Sequence, residues 1–272
     1  EMIYLRDSAG RFTFANRTCV RWLGLAAGQL LGRTEAEILD GLAGLDYRSW
    51  SNDAATLRGG GARQFEETLT RRGRTRHLMS IKLPIFDGSG DIGSLISVGI
   101  DVSRRKLTES ALQNVALSIT SVQGENVLRQ LASYVCESLR VDFALIGSVR
   151  DGVVDTLAVC DRGVALERFA YDLAGTPCED VVGRQFIIHP DNLLHHYPGN
   201  ALLRRFGFRS YAGIPLFDSA GEAIGILAVL HRRPIRQPQF VASLLKIYSV
   251  RAAAELERLR ADAALREAEA SY

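Results

Sequence analysis

Four cysteines and five histidines, with a few tyrosines near them, are the side chains of this chain best suited to chemistry. Cys178 stands out because it follows Gly175-Thr176-Pro177, a run that can open a helix, and a helix N-terminus stabilises a thiolate. The competing use is filling, since free cysteine often behaves as a small buried apolar group. Cys160 closes a strand-like run and could face the same pocket, where it would form a redox pair with Cys178. Tyr171, Phe186 and Tyr211 could form a ligand cage around them or simply pack a lid. His189, His195 and His196, with Asp191 between, carry ligating atoms, but not at the i, i+4 spacing of a helical metal site. No metal is assigned, and the cofactor is left open. Arg71-Arg72-Gly73-Arg74-Thr75-Arg76 sets four arginines about a turn, either as a solvated hairpin tip or as an anion or partner site. Gly59-Gly60-Gly61 and Gly221-x3-Gly225 lack the Gly-Lys-Ser/Thr ending of a phosphate loop. No G-x-S-x-G, H-E-x-x-H or kinase signature occurs, so the chain reads as non-catalytic.

The elements that must position these residues fit in 272 residues, enough for two domains of roughly 130 residues each. At 47% hydrophobic and 24% charged, the chain has the balance of a globular protein. No apolar run approaches the roughly 18 residues of a membrane span. The net charge of +2 is too even to point at nucleic acid as a partner. Cys19, Cys136, Cys160 and Cys178 form no C-x-x-C pair and there is no secretory leader, which suits a reducing cytoplasm. Both ends look cut: the chain opens directly into strand-like residues and closes inside a helical stretch without a stop signal.

Ile3 to Leu5 and Phe12 to Phe14 flank Asp7-Ser8-Ala9-Gly10, a type I turn sequence, and predict a hairpin. Short helices follow from Asn16 to Leu57, with Thr34 and Glu37 spaced as a capping box. Gln64 to Thr70, Arg76 to Ile85 and Ile92 to Ile100 read as three strands. Leu112, Val115, Ile119 and Val122 then step by three and four along a connector helix. A second helix spans Asn126 to Leu139, ahead of strands at Phe143 to Val149 and Val153 to Cys160 joined through Asp151-Gly152. Residues 162–209 read as a long excursion that is a lid, a binding loop or disorder. Ile224 to Leu230 is almost wholly apolar, as a central strand covered on both faces would be. One helix fills the last thirty residues, and its stripe at Leu256, Leu259 and Ala263 outlives the domain it starts on.

This order resembles a PAS domain, through Ile3-Tyr-Leu-Arg-Asp-Ser-Ala-Gly-Arg-Phe-Thr-Phe-Ala-Asn16 and Ser97-Val-Gly-Ile-Asp-Val-Ser-Arg-Arg-Lys106. Asp101-Val102-Ser103 is similar to that family's Asp-Ile-Thr junction, which couples the sheet to an exit helix. Residues 110–255 resemble a GAF domain, through Asp172-Leu-Ala-Gly-Thr-Pro-Cys-Glu179 and Tyr211-Ala-Gly-Ile-Pro-Leu-Phe-Asp-Ser-Ala-Gly-Glu-Ala-Ile-Gly-Ile-Leu-Ala-Val229. The resemblance implies an α+β chain. Residues 1–104 would be a PAS-like five-stranded antiparallel sheet with short helices, and 105–123 a connector helix. Residues 124–250 would be a GAF-like antiparallel sheet flanked by helices, and 251–272 a coiled-coil signalling helix. It also implies the sensory region of a bacterial signalling protein, a histidine kinase or a cyclic-di-GMP turnover protein such as a diguanylate cyclase, dimeric and linked to an output domain. The strings that mark flavin photosensors, bilin-binding GAF domains and cyclic-nucleotide sensors are missing: Cys19 lies in Asn16-Arg-Thr-Cys-Val-Arg-Trp22, and no Asp-Ile-Pro or Cys-His occurs.

The expected reading is a cytoplasmic sensory and relay module for a small ligand or partner. Its pocket candidates are Cys160, Tyr171, Cys178, Phe186 and Tyr211 in the second domain, and Trp22, Phe65, Met79, Ile81 and Ile96 on the inner sheet face of the first. Asp101 and Ser103 would relay the signal, and Leu112, Val115, Ile119, Leu256, Leu259 and Ala263 would form a homodimer interface. The alternatives are a dimerising scaffold with filled pockets, or a GAF-fold enzyme reducing methionine sulfoxide through Cys178 or Cys160.

Overall fold

A computed structural model describes residues 1–40, 44–47, 49–117, 125–182 and 186–270. Two compact units divide the chain, Glu1–Lys106 and Leu107–Tyr272.

In the first unit, strand β1 (Met2–Asp7) turns into β2 (Phe12–Ala15) because Asp7 folds back on its own chain. Its Oδ1 accepts from the amides of Ala9 (3.0 Å) and Arg11 (2.9 Å), while Gly10 takes the positive φ of 81° that closes the turn. Helices α1 (Arg17–Leu23), α2 (Ala27–Leu30) and α3 (Glu35–Leu39) follow, then β3 (Leu45–Tyr47) and α4 (Trp50–Gly59). Asn16 caps α1, and the Thr34–Glu37 capping box forms at α3. Strands β4 (Arg63–Arg71), β5 (Arg74–Phe86) and β6 (Ile92–Asp101) complete an antiparallel sheet ordered β2-β1-β6-β5-β4-β3. The five expected strands are present, and β3 adds a sixth at the edge. Three residues are too few to show a period in sequence.

The second unit holds α6 (Glu125–Leu139), β7 (Phe143–Arg150), β8 (Val153–Asp161) and, later, β12 (Ser210–Phe217) and β13 (Ala223–His231). Here α5 (Ser103–Leu117) contributes Ala111, fully buried in this unit's core. Asp151 and Gly152 take φ of 51° and 76°, the paired positive values that a two-residue hairpin requires. The sheet is antiparallel, with β8, β7, β13 and β12 side by side in that order at its centre. Its outermost strands β10 (Ala170–Asp172) and β11 (Ile187–His189) come from the 162–209 excursion, which also carries β9 (Val164–Ala165), α7 (Leu193–His196) and α8 (Ala201–Phe206). The described part of the long excursion therefore has structure of its own rather than being disordered. β13 lies between β7 and β12, and its residues alternate between two cores: Ile224, Leu227 and Val229 meet the helices, while Ile226, Ala228 and Leu230 face the excursion.

The final helix, α9 (Pro238–Ala270), corrects one expectation. Leu256 is 1% exposed within the helix-side core, and Leu259 is half-buried against it, so the domain core runs past residue 250. The same core takes Val115, whereas Leu112 and Ala263 are exposed and Ile119 lies outside the described residues. Helical spacing cannot tell a stripe that packs on its own sheet from one that waits for a second helix. Among the described residues no helix is long and apolar enough to cross a membrane.

Candidate functional site

The excursion-side core of the second unit is built around Cys178. Tyr171 on β10 and Tyr211 on β12 each donate a phenolic hydrogen bond to its Sγ, at 3.2 and 3.4 Å. Gly213 makes this possible: a Cβ there would stand 2.2 Å from the Tyr211 hydroxyl oxygen, so only glycine lets the ring lie back over its own strand. Around these groups an apolar cavity of about 60 Å³ is lined by Phe143, Leu145, Leu203, Phe208 and Leu230 among others. An open cleft of about 540 Å³ adjoins it, and the two share Tyr171, Thr176, Asn200 and Leu202. The excursion is held by a second polar set, in which the Tyr197 hydroxyl donates to Asp180 and lies 3.2 Å from His189 Nε2, with the His196 ring 4.7 Å from that of His189.

Three of the five expected pocket residues thus meet, Tyr171, Cys178 and Tyr211. Cys160 does not: it belongs to the core on the opposite face of the sheet, where the Cys136 Sγ donates to its carbonyl at 3.8 Å. Phe186 packs on that far side too, because successive strand residues point to opposite faces and its neighbour Ile187 takes the Cys178 side. Nor does Cys178 start a helix. Residues 173–182 form turns, and burial pushes its thiol up rather than favouring a thiolate. Among the described residues no cluster of three or more His, Cys, Asp or Glu could hold a metal.

In the first unit the inner sheet face carries charge. Lys82, fully buried, pairs with Asp53 and with Glu67 (3.0 Å) and donates to the Tyr4 hydroxyl (3.0 Å). Arg6, also fully buried, reaches Asp53 (2.9 Å) and Glu35 (3.0 Å), and its guanidinium lies 4.2 Å from the Phe12 ring centroid. Tyr47, Asn52 and Ser80 donate to Glu67 at 3.2, 2.9 and 2.7 Å. Burial alone would lower the Lys82 pKa, but Tyr4, Asp53 and Glu67 outweigh it and hold the ammonium charged. Register corrects the expected pocket. Met79, Ile81 and Ile96 pair with Glu66, Gln64 and Leu83 on the outer face, and Ile81 is 38% exposed. Phe65 is on the inner face, paired with Ser80 and half-buried, while Trp22 on α1 is half-buried. The missed residues left a trace, since Met2-Tyr4-Arg6 and Leu78-Ser80-Lys82 alternate in step with the buried positions.

At the end of β6, Asp101 Oδ1 accepts from the Ser103 amide (2.9 Å) and Oδ2 lies 3.6 Å from Arg76 Nε. Ser103 Oγ in turn accepts from the His77 amide (2.9 Å), and the Arg76 guanidinium stands 5.2 Å from the Trp22 ring centroid. Of the four hairpin arginines, Arg71 also turns inward, donating to the Gly24 carbonyl.

Two sheet-and-helix units, one with a cavity beside its outer strands and one with a tied final strand, thus follow each other along the chain. Residues 1–107 match the family model described as the PAS fold and residues 123–256 that of the GAF domain, so the chain carries a PAS fold and a GAF domain in tandem. Such domains are generally sensory rather than catalytic. Hybrid signal transduction histidine kinase F of Dictyostelium discoideum is 23% identical over 156 residues, 56% of this chain. The match spans only 13% of that protein's length. Among solved structures, the chromophore-binding domain of a Stigmatella aurantiaca bacteriophytochrome is 13% identical with a TM-score of 0.47, covering 94% of this chain and 93% of that one. A bacteriophytochrome of R. palustris is 12% identical with a TM-score of 0.49, covering 97% of this chain and 59% of its own.

Proposed function

We propose that this chain is a non-catalytic, cytoplasmic sensory and relay module whose ligand enters the GAF unit beneath the excursion, which acts as its lid. The observation that carries this reading is the apolar cavity around Tyr171, Cys178 and Tyr211, continuous in lining with an open cleft. The inner face of the PAS unit is filled instead by mutually compensating charges, which supports a scaffold and relay role for that half. Its signal would leave through Asp101 and Ser103, tied to β5 by Arg76 and His77, so that sheet movement becomes movement of α5. A dimer would form through helix surface left exposed, including Leu112, Val250, Ala263 and Leu265, and an output domain would read it. Methionine-sulfoxide reduction is disfavoured by the burial of both thiols and their placement on opposite sheet faces.

Native mass spectrometry of the chain, before and after exposure to a pooled small-metabolite extract, tests the ligand. A bound small molecule that Leu203→Phe displaces supports the reading. A chain that retains and gains nothing overturns the ligand and leaves the scaffold.

A further inference from the structure

The cavity and the cleft can be occupied by one molecule, and each restricts a different part of it. At about 60 Å³ the cavity is well below the roughly 150 Å³ that holds a benzene ring, so it takes a short aliphatic arm. Both tyrosine hydroxyls at its end are committed to the Cys178 sulfur and the Thr176 hydroxyl to the Leu173 carbonyl, so among the described residues these hydroxyls demand no polar ligand atom. The cleft sets the head. Among the described residues no lysine or arginine lines it, and its titratable lining includes Asp172, His196 and Tyr197. The Gly175 amide, a donor that could have met an anion, is held by the Glu179 carboxylate at 2.7 Å. Asn200 is engaged on both sides, accepting from the Leu203 amide (3.0 Å) and donating to the Gly175 carbonyl (3.4 Å). Asp180 adds a further negative charge behind Tyr197, and Arg204 donates to the Pro198 carbonyl. Resting on the cavity as the sensory pocket, we infer that the ligand is a small amphipathic molecule with a short alkyl arm and an uncharged or cationic head, an alcohol or amine rather than an acid.

The test is an NMR titration of the full chain with butan-1-ol, butan-1-amine, butanoate and their shorter and longer homologues, with xenon as a headless probe of the cavity. The alcohol and amine should shift Cys178, Leu203 and Leu230. Affinity should rise about fourfold per methylene until the cavity is full. Butanoate should bind about tenfold more weakly or worse, as one unfavourable charge contact of ordinary size dictates. Leu203→Phe should flatten the dependence on arm length. Butanoate binding as tightly as butan-1-ol would overturn the head assignment while leaving the sensory pocket intact. Alkyl probes that bind with no dependence on length would overturn the arm. Silence from xenon and every alkyl probe would remove the pocket itself, and this inference with it.

Discussion

Lys82→Met is the sharpest perturbation of the PAS unit. Lys82 is fully buried between Asp53 and Glu67, and methionine matches its length while removing its charge. Asp53 would keep Arg6, but Glu67 would keep only neutral donors from Tyr47, Asn52 and Ser80. Removing one member of a buried ionic set costs about 3–5 kcal/mol, a large part of a domain's stability. Both tryptophans, Trp22 and Trp50, lie in this unit, so tryptophan fluorescence during urea unfolding of the whole chain reports on it alone. The effect should depend on pH. Burial already raises the Asp53 carboxyl above its ordinary 3.8 against the pull of Arg6 and Lys82, and without Lys82 it rises further. A carboxyl whose folded pKa is raised loses stability as pH climbs through that value, so the Lys82→Met deficit should be greatest near neutrality and shrink on acidification. Lys82→Met with Glu67→Gln, which removes the carboxylate left without a cation, should recover more than about 1 kcal/mol of the single-mutant loss. A single-mutant loss under about 1 kcal/mol at neutral pH, or one independent of pH, would refute the compensated network.

Gly213→Ala should push the Tyr211 ring off Cys178, costing about 1–3 kcal/mol and speeding alkylation of that thiol in a mass-spectrometric time course. Leu256→Glu should unfold the GAF unit, seen as lost near-ultraviolet tyrosine dichroism, rather than yield a folded monomer. Leu265→Glu, at a position 61% exposed, should leave the fold intact and convert a dimer to monomer in light scattering. Asp101→Ala frees the Ser103 amide and Arg76, so hydrogen exchange over residues 103–106 should quicken while the sheet amides hold. Burial and the neighbouring His196 hold His189 below the ordinary imidazole value of 6.5. Its contribution is therefore whole above that value and fades as pH falls through the lower folded one, so the GAF unit should soften on mild acidification and His189→Gln should remove that slope.

Period and turn chemistry made most elements legible. Asp7-Ser8-Ala9-Gly10 and Asp151-Gly152 act through their own backbone conformations, and Thr34 with Glu37 through a bond three residues long, so local sequence contains their whole cause. The wholly apolar Ile224 to Leu230 likewise announced a strand covered on both faces. Face assignment was less legible. Met79, Ile81 and Ile96 are apolar and looked internal, yet strand register turned them outward and turned Lys82 inward. A single charged residue is read as solvated because its burial is costly alone, and the partners that make Lys82 tolerable come from β1, α4 and β4, up to 78 residues away.

What the sequence determined by itself were the pieces and their order: two α+β domains, their hairpins, the excursion's place and the Asp101-Val102-Ser103 exit. Which side chains meet was decided only by tertiary structure. Sheet pairing set Cys160 and Cys178 on opposite faces, brought Tyr171 and Tyr211 to one sulfur from 40 residues apart, and drew Leu256 into the core. The reason is physical. Turns and periods are set by interactions across a few residues, whereas the charge network and the cavity exist only where distant strands impose a common register.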